Sequence, residues 1–127
     1  MKNVLVDSDI LIDYLRGLDS ARAFFSASGR DFLFYLSVVS LAEIYAGKDT
    51  KNANKLKEIE QFLSNFEISL ITPAIAKLGG GLRRDCSTPF ADSLIAATAL
   101  EYSFTLATRN IKHFNSLPKL KLFKPYG

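Results

Sequence analysis

VLVDSDILIDYL, residues 4–15, changes character at its fourth position. Val4 to Val6 is a short continuous apolar run, the pattern of a strand buried on both faces. Asp7 then stands at the strand's C-terminal end. From Ser8 the apolar period switches: Ile10, Leu11, Tyr14 and Leu15 fall at i, i+1, i+4 and i+5, one face of a helix, and Gly17 stops it. A strand running through an acid into a helix is the opening of a βα unit.

The same alternation recurs along the chain. SARAFFSAS (20–28) reads as a helix ended by Gly29. FLFYLSV (32–38) reads as a buried strand whose aromatic residues belong to the core rather than to a base-stacking platform. SLAEIYAG (40–47) returns to helical spacing. DTKNANKLKEIEQFLSNF (49–66) is a polar, amphipathic helix with Leu56, Ile59, Phe62 and Leu63 on one face. EISLIT (67–72), FTLAT (104–108) and LKLFKPY (120–126) read as strands. PAIAKLGGGLRRD (73–85) and PFADSLIAATALEY (89–102) read as helices, and NIKHF (110–114) as a helical turn. Strands alternating with helices predict an α/β fold, a parallel-stranded sheet flanked by helices. With no repeat, low-complexity tract or linker, residues 1–127 are expected to form a single domain.

Composition narrows the chemistry. The chain has 127 residues, 48% hydrophobic and 23% charged, a globular balance. No apolar run reaches the roughly 18–20 residues that span a bilayer, and Asp7, Asp9 and Asp13 interrupt any signal-like stretch. A cytoplasmic protein without membrane contact is expected. One cysteine, Cys86, excludes an internal disulfide or a zinc cluster, and one histidine, His113, excludes a histidine pair. Any metal would be held by oxygen, which suits Mg²⁺ or Mn²⁺. Five of the 16 basic residues (Arg109, Lys112, Lys119, Lys121, Lys124) lie in the last 19 positions with no acid among them, leaving 11 basic against 13 acidic in the first 108. That asymmetry fits a polyanionic partner or, equally, a solvated surface.

The candidate functional groups sit where strands end. Asp7 is either a helix N-cap or a group facing the crevice, where open α/β sheets bind their ligands. Ser40-x-x-Glu43 has the form of a capping box, and from the residues alone that is the stronger reading of Glu43, although the two roles are compatible. Thr88 is expected to cap the next helix with Pro89 as its first residue, which puts Asp92 in the first turn. The helix around Asp92 is the most apolar of the chain, and a carboxylate there needs a partner. Thr108, Arg109 and Asn110 form a polar cluster beyond another strand, read either as a turn or as contacts to a phosphate or a metal-bound water. Asp13 reads as helix surface and His113 as a surface or hinge residue. Gly79, Gly80 and Gly81 lack the Lys-Ser or Lys-Thr of a phosphate loop; they loosen the helix or admit another backbone. Asp7, Glu43 and Asp92 would converge across a doubly wound sheet. Converging carboxylates repel, and a divalent ion resolves that conflict while activating water and polarising a phosphodiester. This is the chemistry of a metal-dependent nuclease.

Three blocks make the resemblance specific. VLVDSDILIDYL is similar to the opening strand, first acid and helix of PIN-domain ribonucleases, in particular the VapC-type toxins of toxin–antitoxin pairs. SVVSLAEIYAG resembles the second block, with Glu43 as the second acid. ADSLIAATALEYSFTLATRNIKHF resembles the third and fourth, with Asp92 as the third acid. The resemblance implies a PIN-like sheet, Mg²⁺ or Mn²⁺ as cofactor, RNA as substrate, a VapB-type antitoxin in the active-site groove, and a toxin homodimer. Carried over by position, Asp7, Glu43 and Asp92 are the catalytic and metal-site acids, and Ser8 and Thr108 are supporting hydroxyls. Arg109 and the tail lysines are expected on flanking phosphates. The departure is Asn110, where many members carry Asp, which puts a second metal in doubt and leaves Asp9 to compensate or to act only as a helix-start or supporting residue.

VLVDSDIL also resembles the opening of haloacid dehalogenase-type phosphohydrolases, with Asp7 as nucleophile and Asp9 as acid/base. Leu11 departs from that pattern, and RNIKHF offers its lysine without the acids that should follow. A non-catalytic module that sequesters RNA or a partner is the third reading, opposed by the three intact acids.

Overall fold

The computed structural model covers residues 1–127. Its elements, in chain order, are β1 (Lys2–Val6), α1 (Ser8–Leu15), α2 (Asp19–Ser28), β2 (Phe32–Ser37), α3 (Val38–Tyr45), a 3-10 turn (Lys48–Lys51), α4 (Ala53–Leu63), β3 (Glu67–Ser69), α5 (Pro73–Cys86), α6 (Phe90–Tyr102), β4 (Thr105–Ala107), α7 (Ile111–Phe114) and β5 (Lys121–Phe123). Each expected strand and helix is present: β1, α2 and α5 run slightly longer than expected, α3 starts earlier, and the other strands are shortened at their ends. The polar segment before α4 becomes the 3-10 turn, because Asn52 caps α4 by accepting from the amides of Asn54 and Lys55. Gly17 ends α1 at φ 83°, a left-handed conformation that glycine adopts without strain.

The five strands pair in parallel in the order β3-β2-β1-β4-β5. The chain therefore builds outward from β1 on one side, then returns to β4 on the other. The order reverses between β1 and β4, and a crevice opens there at the C-terminal strand ends. Val6 pairs with Ala107, so the next residues, Asp7 and Thr108, emerge side by side.

Alternation along β1 divides the core. Val4 and Val6 join one cluster with Ile10, Leu11, Phe24, Phe34, Leu36 and Phe62; Leu5 joins the other with Ile95, Ala96, Phe104, Leu106 and Phe114. Both sheet faces are covered, which is why the Val4–Val6 part of β1 is uniformly apolar. Phe32 and Phe34 pack edge-on or tilted against Phe24, as core residues should.

Two capping expectations fail. Ser37, not a later serine, caps α3 by accepting from the Val39 amide. Ser40 is therefore inside the helix and Glu43 in its second turn, so the capping box does not exist. The reason is local: β2 turns directly into α3, so Val38, which read as the end of the strand, and Val39 open its first turn. Likewise Pro89 is the N-cap position of α6, whose first residue is Phe90. The tight reversal through Ser87 (φ 55°) ties the Thr88 carbonyl to Arg83, and the buried Thr88 hydroxyl reaches no amide.

The glycine run lies inside an unbroken α5, and one member admits a close neighbour. A Cβ on Gly79 would lie 2.8 Å from Leu94 Cδ2 and 3.3 Å from the Ser93 carbonyl oxygen of α6. Around Gly80 nothing lies within 4 Å. Gly79→Ala is therefore expected to destabilise by about 1–3 kcal/mol through overpacking, and Gly80→Ala to stabilise by up to about 1 kcal/mol through helix propensity. Urea unfolding measures both; shifts of the same sign would refute this account of the packing.

Candidate active site

Asp7 is the buried centre of the crevice. It is 3% exposed and caps α1. Its Oδ1 accepts from the Ser8 amide at 2.8 Å and its Oδ2 from the Thr108 hydroxyl at 2.6 Å. The capping and crevice readings of this residue thus hold together. Thr108 Oγ1 also accepts the Asn110 amide at 3.0 Å, which leaves its single proton for Asp7. Burial pushes the Asp7 carboxyl up to about 7; the charges of Asp9 and then Asp92 add to the rise, and the Thr108 and Ser8 hydrogen bonds oppose it.

Glu43 reaches the same crevice from α3. Ser8 Oγ lies 2.7 Å from Glu43 Oε1 and 2.8 Å from Ser40 Oγ. Having one proton, Ser8 donates it to the carboxylate, and the Ser40 hydroxyl supplies the proton of the other contact. Asp92 stands in the first turn of α6, where the helix dipole favours its charge. Its Oδ2 lies 2.7 Å from Nδ1 of His113, whose side chain is 48% exposed.

Asp9 is differently employed. Its Oδ1 accepts from the Ile10 amide at 2.8 Å and its Oδ2 from the Arg109 amide at 3.0 Å. Burial raises its carboxyl above the ordinary range, against the pull of these amides. Both oxygens accept from the backbone, which is the helix-start and supporting role. Arg109 also departs from expectation. Its guanidinium turns onto Asp13, Nη1 to Oδ2 2.7 Å, and lies over the Tyr126 ring at 5.2 Å, instead of facing outward toward phosphate. Asp13 is accordingly not helix surface: its side chain is 18% exposed and also accepts from the Tyr126 hydroxyl at 2.9 Å. Asn110 is exposed and gives the site its backbone amide.

Ser40, His113, Asp13 and Tyr126 were not legible as site residues, yet two left signals. Ser40 precedes Glu43 by three, and Asp13 follows Asp9 by four, so each pair shares a helix face. The contacts of His113 and Tyr126 depend on where α7 and β5 pack.

The oxygen donors suit a hard divalent cation. Asp7 and Glu43 form no ion pair, and Asp92 is paired only with a histidine. Asp7 in particular is a buried carboxylate beside two others, whose repulsion a cation relieves. No three acids or imidazoles are gathered tightly enough to ligate one ion directly.

Known proteins share this arrangement of sequence and fold. The PIN domain family matches residues 4–120. Ribonuclease VapC10 of Mycobacterium tuberculosis is 36% identical over 123 residues, covering 93% of this chain and 90% of that protein. Ribonuclease VapC19 of the same organism is 31% identical over 125 residues, covering 92% and 96%. Among solved structures, a chain in a toxin–antitoxin complex from Klebsiella pneumoniae superposes with a TM-score of 0.82 at 29% identity, over 97% of this chain and 98% of that one. A chain of VapBC2 from Rickettsia felis, bound to promoter DNA, shares the fold with a TM-score of 0.82 at 24% identity, over 96% and 98%. A domain match that runs from β1 to the residue before β5, with VapC proteins similar over nearly their whole length, means that this chain belongs to the PIN-domain family, on its VapC branch.

Proposed function

We propose that the protein is a divalent-metal-dependent endoribonuclease, the toxin of a toxin–antitoxin pair. One observation carries the reading: Asp7, buried and without a cationic partner, lies in the switch-point crevice under the electrostatic influence of Asp92, and Ser8 ties Glu43 beside it. The family and the ribonuclease names of its relatives support the substrate class. The toxin–antitoxin complexes among the structural neighbours, one of them VapBC2, support a VapB-type antitoxin as partner, and we expect it to sit in the active-site groove. A homodimer is the assembly we expect. A cytoplasmic location is what an RNA substrate leads us to expect; no helix is long and apolar enough to cross a membrane.

Asp7, Glu43 and Asp92 would hold Mg²⁺ or Mn²⁺. When bound, such an ion supplies charge for the scissile phosphate and lowers the pKa of water. The chain's own contribution is orientation. Thr108 and the Ser8 amide fix both Asp7 oxygens, Ser8 fixes one Glu43 oxygen, and His113 fixes one Asp92 oxygen. Each acid thereby presents a defined remainder to the crevice. Asn110 brings a carbonyl oxygen but no charge to the fourth position, so a singly loaded site is the simpler expectation. The exposed Lys112 and Lys124, which follow β4 and β5 on the crevice side, would bind flanking phosphates, an attraction that weakens with salt, whereas Lys119 and Lys121 lie at the opposite ends of the strands, near Ser103.

The test is cleavage of a labelled single-stranded RNA by wild type and Asp92→Asn, in Mg²⁺, Mn²⁺ or EDTA. Cleavage should need a divalent ion and fall about 10²-fold or more in the variant, as loss of a charged ligand implies. Equal rates in EDTA and Mg²⁺, or equal rates in both proteins, would sink the assignment.

A further inference from the structure

We propose that Asp13, Arg109 and Tyr126 form a latch that sets the position of Thr108, and through it Asp7, so that Arg109 is a positioning residue rather than a phosphate contact. The inference rests on the nuclease reading for its catalytic consequence, but not for its structural one.

Three observations carry it. First, the Arg109 side chain is committed inward. Nη1 lies 2.7 Å from Asp13 Oδ2, and the guanidinium lies 5.2 Å over the Tyr126 ring. That site is only 36% exposed on the arginine side and 18% on the aspartate side. Second, Tyr126 braces the same carboxylate oxygen with its hydroxyl at 2.9 Å. Burial and the nearby Asp13 raise the phenol well above its ordinary value, so it stays a donor. Third, the main chain of Arg109 is pinned separately, its amide donating to Asp9 at 3.0 Å.

Together these contacts fix one residue through both its side chain and its backbone. The residue before it is Thr108, whose hydroxyl is the 2.6 Å donor to Asp7; the residue after it is Asn110, whose amide aims that hydroxyl. Asp9 and Asp13 sit one helical turn apart on α1, so the helix offers two anchor points to this short loop. Loosening the side-chain anchor frees the loop beyond β4, and the Thr108–Asp7 bond is its nearest dependent. Exposed lysines, not Arg109, are then left to meet phosphate.

The two roles predict opposite results for Asp13→Asn. A phosphate-binding Arg109 would be released by that change, and removal of a negative charge would strengthen RNA binding and lower KM. The latch predicts a loss instead. We expect Asp13→Asn and Arg109→Gln each to lower kcat, and Mn²⁺ affinity read by EPR, about 10-fold, the lower end for residues supporting metal ligands. The double variant should be no worse than either single one. Tyr126→Phe, which removes only the hydroxyl and should fold, shifts both readouts the same way by less. The salt slope of log KM should not change in Arg109→Gln. Amide exchange at Arg109 and Asn110, followed by NMR, should speed up in all three variants, and this arm reads the latch even in a protein that neither binds Mn²⁺ nor cuts RNA. Unchanged exchange would overturn the latch. So would a raised KM in Arg109→Gln, with a salt slope reduced by about 1 and unaltered kcat and Mn²⁺ affinity, the signature of a lost phosphate contact. If wild type neither cleaves RNA nor binds Mn²⁺ but the exchange arm behaves as expected, the nuclease reading fails and the latch stands.

Discussion

Asp7→Asn is expected to lower the rate of RNA cleavage about 10²–10⁴-fold at saturating Mg²⁺, the several kcal/mol that a correctly held divalent ion contributes. The substitution isolates charge from shape. The amide matches the carboxylate in volume and keeps an acceptor for the Ser8 amide, so α1 retains its cap. The charge that balances a cation at the bottom of the crevice disappears. The Thr108 hydroxyl now meets an amide in place of a carboxylate oxygen, a weaker or reversed bond. A fall in kcat with little change in KM for RNA is therefore the expected pattern, because phosphate attraction resides in the distant lysines. Single-turnover cleavage of an end-labelled RNA measures it, with circular dichroism to confirm folding. A folded variant within threefold of wild type would show that Asp7 is only a helix cap.

The fold was largely legible because the sheet is covered on both faces. Val4–Val6 is wholly apolar and Phe104–Ala107 is broken only by the buried, β-branched Thr105, so each reads as a buried strand, and the helices between them carry the longer period. The candidate acids stood out for a related reason: Asp7 follows directly on β1 and Asp92 lies in the first turn of α6, whereas Glu43, read as opening a helix, lies in the second turn of α3. The errors came at junctions. Val38 and Val39 continue β2 by composition but begin α3 by geometry, because the Ser37 hydroxyl captures the Val39 amide. That one-turn displacement turned Glu43 from a capping residue into a crevice residue. The other gap is distance along the chain. Asp13 meets Arg109 across 96 positions and Tyr126 across 113, and only the pairing of β4 with β1 and of β5 with β4 brings them together. No local pattern marks such partners, so Asp13 read as surface and Arg109 as a free cation.

The same burial that makes Asp7 a cation site should make the metal-free protein lose stability as pH rises. In an unfolded chain this carboxyl titrates near 3.8, and in the folded protein near 7. Below the lower value both states are protonated, and the group contributes nothing to the pH dependence. Between the two values the folded state holds a proton that the unfolded state has released, so raising the pH favours unfolding. At 1.36 kcal/mol per pH unit, about 3 kcal/mol should be lost between pH 5 and pH 8, and the loss should level off above the folded value. Asp9, raised in the same direction, adds to the fall. Urea unfolding in EDTA across this range measures the slope. Asp7→Asn should flatten most of it and should therefore be more stable than wild type at pH 8, despite being the less active protein. Millimolar Mg²⁺ should restore wild type at pH 8 and do far less for the variant, since an ion that binds only the folded state stabilises it by mass action. A metal-free wild type whose stability is level or rising from pH 5 to pH 8, in parallel with Asp7→Asn, would mean that Asp7 is already neutralised within the protein, and the case for a cation in this crevice would lose its physical basis.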